Sequence, residues 1–495
     1  MSNIKKNYVL STIVPILNSI FPLIVLPYVS RILGPENLGK VNFALSWVSL
    51  FITFASFGIS FHGTREIAKN RENEHKLKEV FSEILLLQIL TNIIVSIVYI
   101  LSVFTITDLK QDIPLFLIVG LQLFLNFASL GWFFVGMEKF GYISLRNFIF
   151  KIISLIFLFL MVKNQTNYRE FAFVMVFSIV GSNLLDLIFS LKYFNLNPIK
   201  LSQIFKHIKP SFIFFLASSL SILYNGIDMI ILQFIKPADY EKALGIFGIN
   251  KRIILFALFL INSLINVNLS RSSYYIGNNN QELYQKFLIK SSKFVIFLTL
   301  PTAAITFILS KEILSIIGGS KFIEGYISLS ILSLAVPVII IRNIIEAQVL
   351  NPNGKEKFIL LGSIGSFISF ILLSYLTIYS YSYIGLSWIF LVAYLIDLSI
   401  LLLSTIINLK ILPFDKSLAN YFIITILLSP IFIMFKGFIT LYIQKLNFPY
   451  LISDAILIIL ISTLFLSMYY LINFLAKDEI PKEFIELVKK IISRK

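Results

Sequence analysis

Charged side chains stand inside long apolar stretches of this sequence: Arg146 and Lys151, Asp186, Asp228, Lys251 and Arg252, Arg342 and Glu346, and Asp397. In a membrane helix each such group costs at least ~2.5 kcal/mol to insert, so it faces a cavity, an ion path or an opposite charge. Guanidinium and ammonium groups there match phosphate oxygens, while carboxylates carry protons or cations or neutralise the arginines. Asp228 lies too deep in its stretch for a short side chain to reach the interface, which marks it as functional. Arg342 and Glu346, one helical turn apart, either neutralise each other or act in a site. Lys251 and Arg252 point about 100° apart, so one faces a cavity squarely and the other snorkels. Arg146 and Lys151 lie near a span end, where snorkelling accounts for both.

Soluble catalytic chemistry is missing. The three histidines, His62, His75 and His207, fall in or beside loops and none has metal-ligand spacing. Gly245-Ile246-Phe247-Gly248 lacks the third glycine and preceding strand of a dinucleotide loop, and no P-loop occurs. With no cysteine, disulfides, thiolate catalysis and thiolate metal sites are excluded. No enzyme activity, resident cofactor or metal is expected.

The positions of these groups depend on the spans that carry them. With 57% hydrophobic residues, the chain reads as an all-α integral membrane protein of about fourteen transmembrane helices. The spans are 9–30, 41–61, 80–104, 113–135, 142–162, 171–193, 211–234, 244–268, 290–309, 327–349, 358–378, 384–407, 420–436 and 452–475. With the N-terminus inside, 26 Lys and Arg fall in cytoplasmic segments and 11 in outer loops, so both termini are expected to be cytoplasmic. The net charge of +16 is spread over loops at the membrane surface, which points to anionic headgroups and away from nucleic acid.

An interfacial helix is expected in the linker 194–210, with Leu201, Ile204, Phe205 and Ile208 on one face and Lys200, Lys206 and Lys209 elsewhere. A second amphipathic stretch forms the tail, 477–495. The linker divides a six-helix lobe at 1–193 from another at 211–407, followed by an extra helix pair at 408–476. A weak repeat supports two lobes: a Pro, an acid and then Leu-Gly occur at Pro35, Glu36 and Leu38-Gly39, and again at Pro237, Asp239 and Leu244-Gly245, with 206 residues between the Leu-Gly pairs. Such repeats are how many transporters build a central site for alternating access. Pro15, Pro22 and Pro27 are expected to bend the first helix, either as a gate or as ordinary tolerance.

The motif Ser30-Arg31-Ile32-Leu33-Gly34-Pro35-Glu36-Asn37-Leu38-Gly39 resembles the Wzx-type oligosaccharide flippases of bacterial envelope polysaccharide synthesis, members of the multidrug/oligosaccharidyl-lipid/polysaccharide exporter superfamily. Phe57-Gly58-Ile59-Ser60 with Gly63-Thr64-Arg65-Glu66-Ile67-Ala68-Lys69, Gly136-Met137-Glu138-Lys139-Phe140, the Asp228 region and Gly354-Lys355-Glu356-Lys357 add to it, so that it covers nearly the whole chain. The resemblance implies two lobes around a central cavity in a bacterial cytoplasmic (inner) membrane. The implied substrate is an oligosaccharide repeat unit on undecaprenyl diphosphate, destined for O-antigen or capsule. It also implies that Arg31, Arg65, Lys251, Arg252 and Arg342 contact diphosphate or acidic sugars, and that Asp228 and Glu346 either couple transport to H+ or Na+ or act as counter-ions. Expected partners are membrane lipids, the polymerase and glycosyltransferases of polysaccharide assembly, and no nucleic acid. The first two helices lack the concentrated arginines expected of a peptidoglycan-precursor flippase. The alternatives are a cation-coupled multidrug exporter of the same superfamily and, from another class, a membrane glycosyltransferase or polymerase.

Overall fold

In hydrocarbon every backbone polar group has to pair within its own segment, and the chain complies by folding into successive apolar helices. The computed structural model describes residues 2–194, 200–415, 417–446 and 448–482, with the backbone alone for 2–20, 22, 23, 201 and 216–225. The described residues are helical, with no strand. The tail expected at 477–495 lies outside the described residues from 483 onward.

Two compact units divide at Gly245 and Ile246. The first contains α1 (Ser2–Ser56), α2 (Ile59–Asn70), α3 (Glu74–Thr105), α4 (Thr107–Lys110), α5 (Ile113–Phe124), α6 (Gly131–Gly136), α7 (Phe140–Met161), α8 (Tyr168–Ser190), α9 (Leu201–Phe205) and α10 (Ile208–Ile235). α11 (Tyr240–Gly277) carries the boundary. The second unit continues with α12 (Gln281–Ile308), α13 (Ser310–Ile317), α14 (Tyr326–Ile344), a π-helical turn at Ile345–Leu350, α15 (Glu356–Leu409), α16 (Leu418–Lys445) and α17 (Tyr450–Leu475). Among the described residues, eleven helical segments are long and apolar enough to cross a membrane. α1 and α15 each hold one non-helical residue, Gly34 and Ser382, that divides a merged run into two spans and brings the number toward the fourteen expected.

The interruption of the first long run lies beyond the three prolines of its first span. The backbone stays helical through Pro15, Pro22 and Pro27 and departs at Gly34, whose φ of 74° lies in the left-handed region that a residue without Cβ enters freely. A second interruption went unread in the sequence. The expected span 113–135 is split by a 3-10 turn at Asn126–Ala128 between α5 and α6. Side chains of α3 brace the turn: the Gln88 amide donates at 3.0 Å to Asn126 O, which also accepts from the Ser129 N–H at 2.9 Å, and the Asn92 amide donates to Leu123 O at 2.8 Å, with Gln88 and Asn92 both buried. Trp132 Nε1 closes the arrangement by donating to Gln88 Oε1 at 2.9 Å.

α2, α3, α6 and α9 share one apolar cluster containing Ile59, Ile67, Phe81, Ile84, Trp132, Phe133 and Ile204. The linker helix is thus shorter than expected and is packed by Ile204 against α3, with Phe205 left exposed. In the second unit, α16 and α17 are joined to α12 through Phe297, whose ring lies 5.5 Å from Tyr421 and 5.1 Å from Tyr469.

Candidate ion-pair centres and substrate-binding residues

Arg342 comes from the last turn of α14 and is 9% exposed. Its Nε donates to Asp397 Oδ2 on α15 at 2.9 Å, and its Nη1 pairs with Glu346. The π turn that follows α14 carries Glu346, and a turn of this kind re-aims side chains within a helix at the expense of one regular hydrogen bond. Gln348 in the same turn is buried and held from α12, where Ser291 Oγ donates to its Oε1 at 2.6 Å and Tyr284 donates to its carbonyl at 2.9 Å. Beside Arg342, the Asn343 amide donates to Asn262 Oδ1 on α11 at 2.9 Å. One guanidinium therefore sits between two carboxylates, one of them from another span. A buried cation in that setting is neutralised as well as held in orientation.

The first unit has a counterpart. Arg146 of α7 pairs with Asp186 of α8, and the two are 7% and 0% exposed. Arg146 therefore does not snorkel as its position near a span end suggested; burial without a partner would leave a charge in hydrocarbon, and Asp186 cancels it. Asp186 and Asp397 were not singled out as partners. The signal was in the repeat: they lie 211 residues apart, close to the 206 that separate the Leu-Gly pairs.

The other candidates come from α1, α2, α10 and α11. Arg31 donates to the Pro27 carbonyl on the exposed side of α1. Arg65 on α2 touches Glu66 at 3.3 Å and lies over the Phe214 ring at 5.4 Å, leaving about half of its side chain exposed, 49%. Asp228 in α10 is 1% exposed and accepts from the Met229 N–H at 2.8 Å. Lys251 in α11 is buried and Arg252 half-buried. Of the seven candidates, the described contacts bring together Arg342 and Glu346. Among the described residues no group of three or more His, Asp or Glu is placed to hold a metal ion.

The Leu-Gly repeat has a geometric counterpart too. A Cβ on Gly39 would fall 2.1 Å from the Glu241 carbonyl oxygen, and one on Gly245 2.0 Å from the Pro35 carbonyl oxygen. Both glycines are required by this backbone approach, beside which Lys40 pairs with Glu241 at 3.5 Å. In the second unit, an apolar cleft of about 380 Å³ runs between α12, α14 and α16, lined by Leu300, Ala304, Phe307, Pro337, Ile426 and Pro430 among others.

Comparison with known proteins settles the lineage, because the family described as polysaccharide biosynthesis protein matches residues 4–269, more than half of the chain. The chain belongs to the polysaccharide biosynthesis protein family. A relative from Shigella dysenteriae described as a putative O-antigen transporter is 25% identical over 358 residues, 72% of this chain and 88% of its own. The capsular polysaccharide biosynthesis protein CapF of Staphylococcus aureus is 26% identical over 395 residues, 77% and 93% of the two chains. Among solved structures, the lipid II flippase MurJ in an inward closed conformation is similar with a TM-score of 0.73 at 18% identity, over 93% of this chain and 99% of that one. An inward-facing multidrug resistance MATE family transporter of the MOP superfamily follows with a TM-score of 0.60 at 16% identity, over 80% and 97%. This polysaccharide biosynthesis protein accordingly has the fold of that exporter superfamily.

Proposed function

We propose that this protein is a flippase that moves an undecaprenyl-diphosphate-linked oligosaccharide repeat unit from the cytoplasmic to the outer leaflet by alternating access, for O-antigen or capsule synthesis. The observation that carries the reading is the putative O-antigen transporter aligned over 72% of this chain, on a fold shared with exporters. The physical need agrees with it. A diphosphate bearing a polar oligosaccharide does not cross hydrocarbon unaided, and buried guanidinium groups offset the loss of its hydration.

On this reading Arg31 and Arg65 meet the substrate near the two mouths, and Lys251, Arg252 and Arg342 meet diphosphate or acidic sugars deeper in the membrane. The substrate phosphate competes with Asp397 and Glu346 for Arg342, so loading releases a carboxylate from the guanidinium. Asp228 and Glu346 are the groups through which a proton or sodium gradient would enter the cycle. The apolar cleft beside α16 offers hydrocarbon surface to the polyprenyl chain. The protein works in the bacterial inner membrane with both termini in the cytoplasm, beside the polymerase and glycosyltransferases of the same assembly line.

Deleting the gene and quantifying undecaprenyl-diphosphate-linked oligosaccharide, surface polysaccharide and drug sensitivity in the same cells tests the proposal. Lipid-linked repeat units should accumulate while surface glycan is lost. Normal glycan with new drug sensitivity would replace the reading with that of a multidrug exporter.

A further inference from the structure

Three buried side chains from three elements form a continuous hydrogen-bonded chain that substrate binding does not use. His62 on α2, His207 at the start of α10 and Glu83 on α3 are 2%, 4% and 2% exposed. His207 Nε2 lies 3.0 Å from Glu83 Oε2, and its Nδ1 lies 2.8 Å from His62 Nε2. Lys206 Nζ reaches the same carboxylate oxygen at 2.8 Å. With both imidazoles neutral, the Glu83 end of the chain sets the proton positions. An ionised carboxylate only accepts, so His207 donates from Nε2; neutral His207 then accepts on Nδ1, and His62 donates from Nε2. The one atom left over, His62 Nδ1, is buried and has no hydrogen-bond partner among the described residues, an arrangement that folded proteins rarely keep without a use.

We propose that His62, His207 and Glu83 form a proton-binding relay that controls how firmly the α9–α10 junction is held against α2 and α3. A proton taken up at His62 Nδ1 passes the Nε2 proton of His62 to His207 Nδ1, and the Nε2 proton of His207 to Glu83 Oε2. One proton enters, both imidazoles change tautomer and stay neutral, and the carboxylate becomes a carboxylic acid. Lys206 thereby loses its counter-ion, and the junction loses its ionic tie to α3.

The surrounding charges are few. Arg65, Glu66 and Lys69 face His62 from α2 itself, with Glu66 held by Lys69 at 3.1 Å. α3 presents Glu83, while His75 and Glu79 pair with each other toward its start. The junction presents Lys206 and His207, Lys200 and Lys209 being exposed, and α6 packs Trp132 against α2 with no titratable group. Burial, and then His207, hold His62 down at about 4, so the relay's entry group stays neutral while the junction is packed and takes up a proton on acidification or as the junction loosens.

The chain has no cysteine, so one introduced thiol reports alone. Ser211→Cys, at a buried site on α10, would be alkylated in the full-length protein in lipid nanodiscs, with exposed Ser202→Cys as reference for thiolate content. The ratio of the two rates should rise at least about fivefold between about pH 7.5 and about pH 5. Adding His62→Gln should keep the ratio low throughout, and Glu83→Gln should raise it already at about pH 7.5. A flat ratio in the parent, a response surviving His62→Gln, or a parent-like ratio in Glu83→Gln each overturns the proposal. Loss of fold would raise the ratio in both variants and also counts against it. The readout makes no reference to the cargo, so it stands or falls separately from the flippase reading.

Discussion

A buried arginine in a span is worth little without the acid facing it, and here both pairs are formed across helices. Arg146→Ala or Asp186→Ala should cost about 3–5 kcal/mol, because each leaves a lone charge, whereas Arg146→Met with Asp186→Leu should recover most of the loss. Thermal unfolding followed by tryptophan fluorescence would separate the two cases. In the second unit, Arg342→Glu places three acids together, and surface polysaccharide should fall about tenfold or more, with Lys251→Glu and Arg252→Glu behaving alike if they meet diphosphate. Normal polysaccharide in all three would remove the cationic path from the mechanism. Asp228→Asn should abolish the pH or sodium dependence of transport if Asp228 carries the coupling ion, and leave it unchanged if the acid is structural. His62 adds a stability term whose sign is fixed. Its pKa is lowered in the folded state, from 6.5 to about 4, so its contribution is full above pH 6.5 and is lost as pH falls toward 4. Acid titration of the melting temperature should show that loss, and His62→Gln should flatten it. Linear spacing exposed Arg342 with Glu346 because one turn separates them; Asp397 and Asp186 were seen as span-internal acids, but their pairing with Arg342 and Arg146 was not, because cross-helix partnership leaves no local mark.

At the scale of elements, the glycines of the repeat permit a close backbone contact. Gly39→Ala and Gly245→Ala each drive a methyl carbon onto a carbonyl oxygen, so the backbones of residues 35–39 and 241–245 have to separate. Either substitution should lower the melting temperature by several degrees and reduce transport, and a variant indistinguishable from the parent would show that the approach is soft. The Leu-Gly repeat was legible; its meaning as a backbone contact was not, since spacing records where a glycine is and not what comes near it. The long apolar runs were equally legible, while the interruption at Asn126–Ala128 was not. Its sequence, Asn126-Phe127-Ala128, carries no glycine or proline to mark a break, and the turn is braced from α3 by Gln88 and Asn92. The linker helix was recognised from its apolar face, but membrane contact and packing on α3 look alike in one sequence, and Ile204 took the second option.

For the molecule as a whole, composition already required a bundle of membrane helices, because so apolar a chain has nowhere else to bury its surface. Its lineage was carried by short motifs around the first two helices, and the family match over residues 4–269 agrees with them. The assignment of cargo rests on relatives and on buried cations, which is why gene deletion with measurement of lipid-linked sugars tests it most directly. The interrupted span between α5 and α6 also bears on how the chain is made. Gln88 and Asn92 precede the turn at Asn126–Ala128, so a ribosome feeding the membrane delivers the donors before the carbonyls they brace, and the broken segment meets its partners as it enters. Arg146 has the opposite fate, since it enters a helix before Asp186 has been synthesised. The insertion machinery therefore has to shelter α7 until α8 arrives, and a ribosome stalled between the two should leave α7 open to extraction from the bilayer.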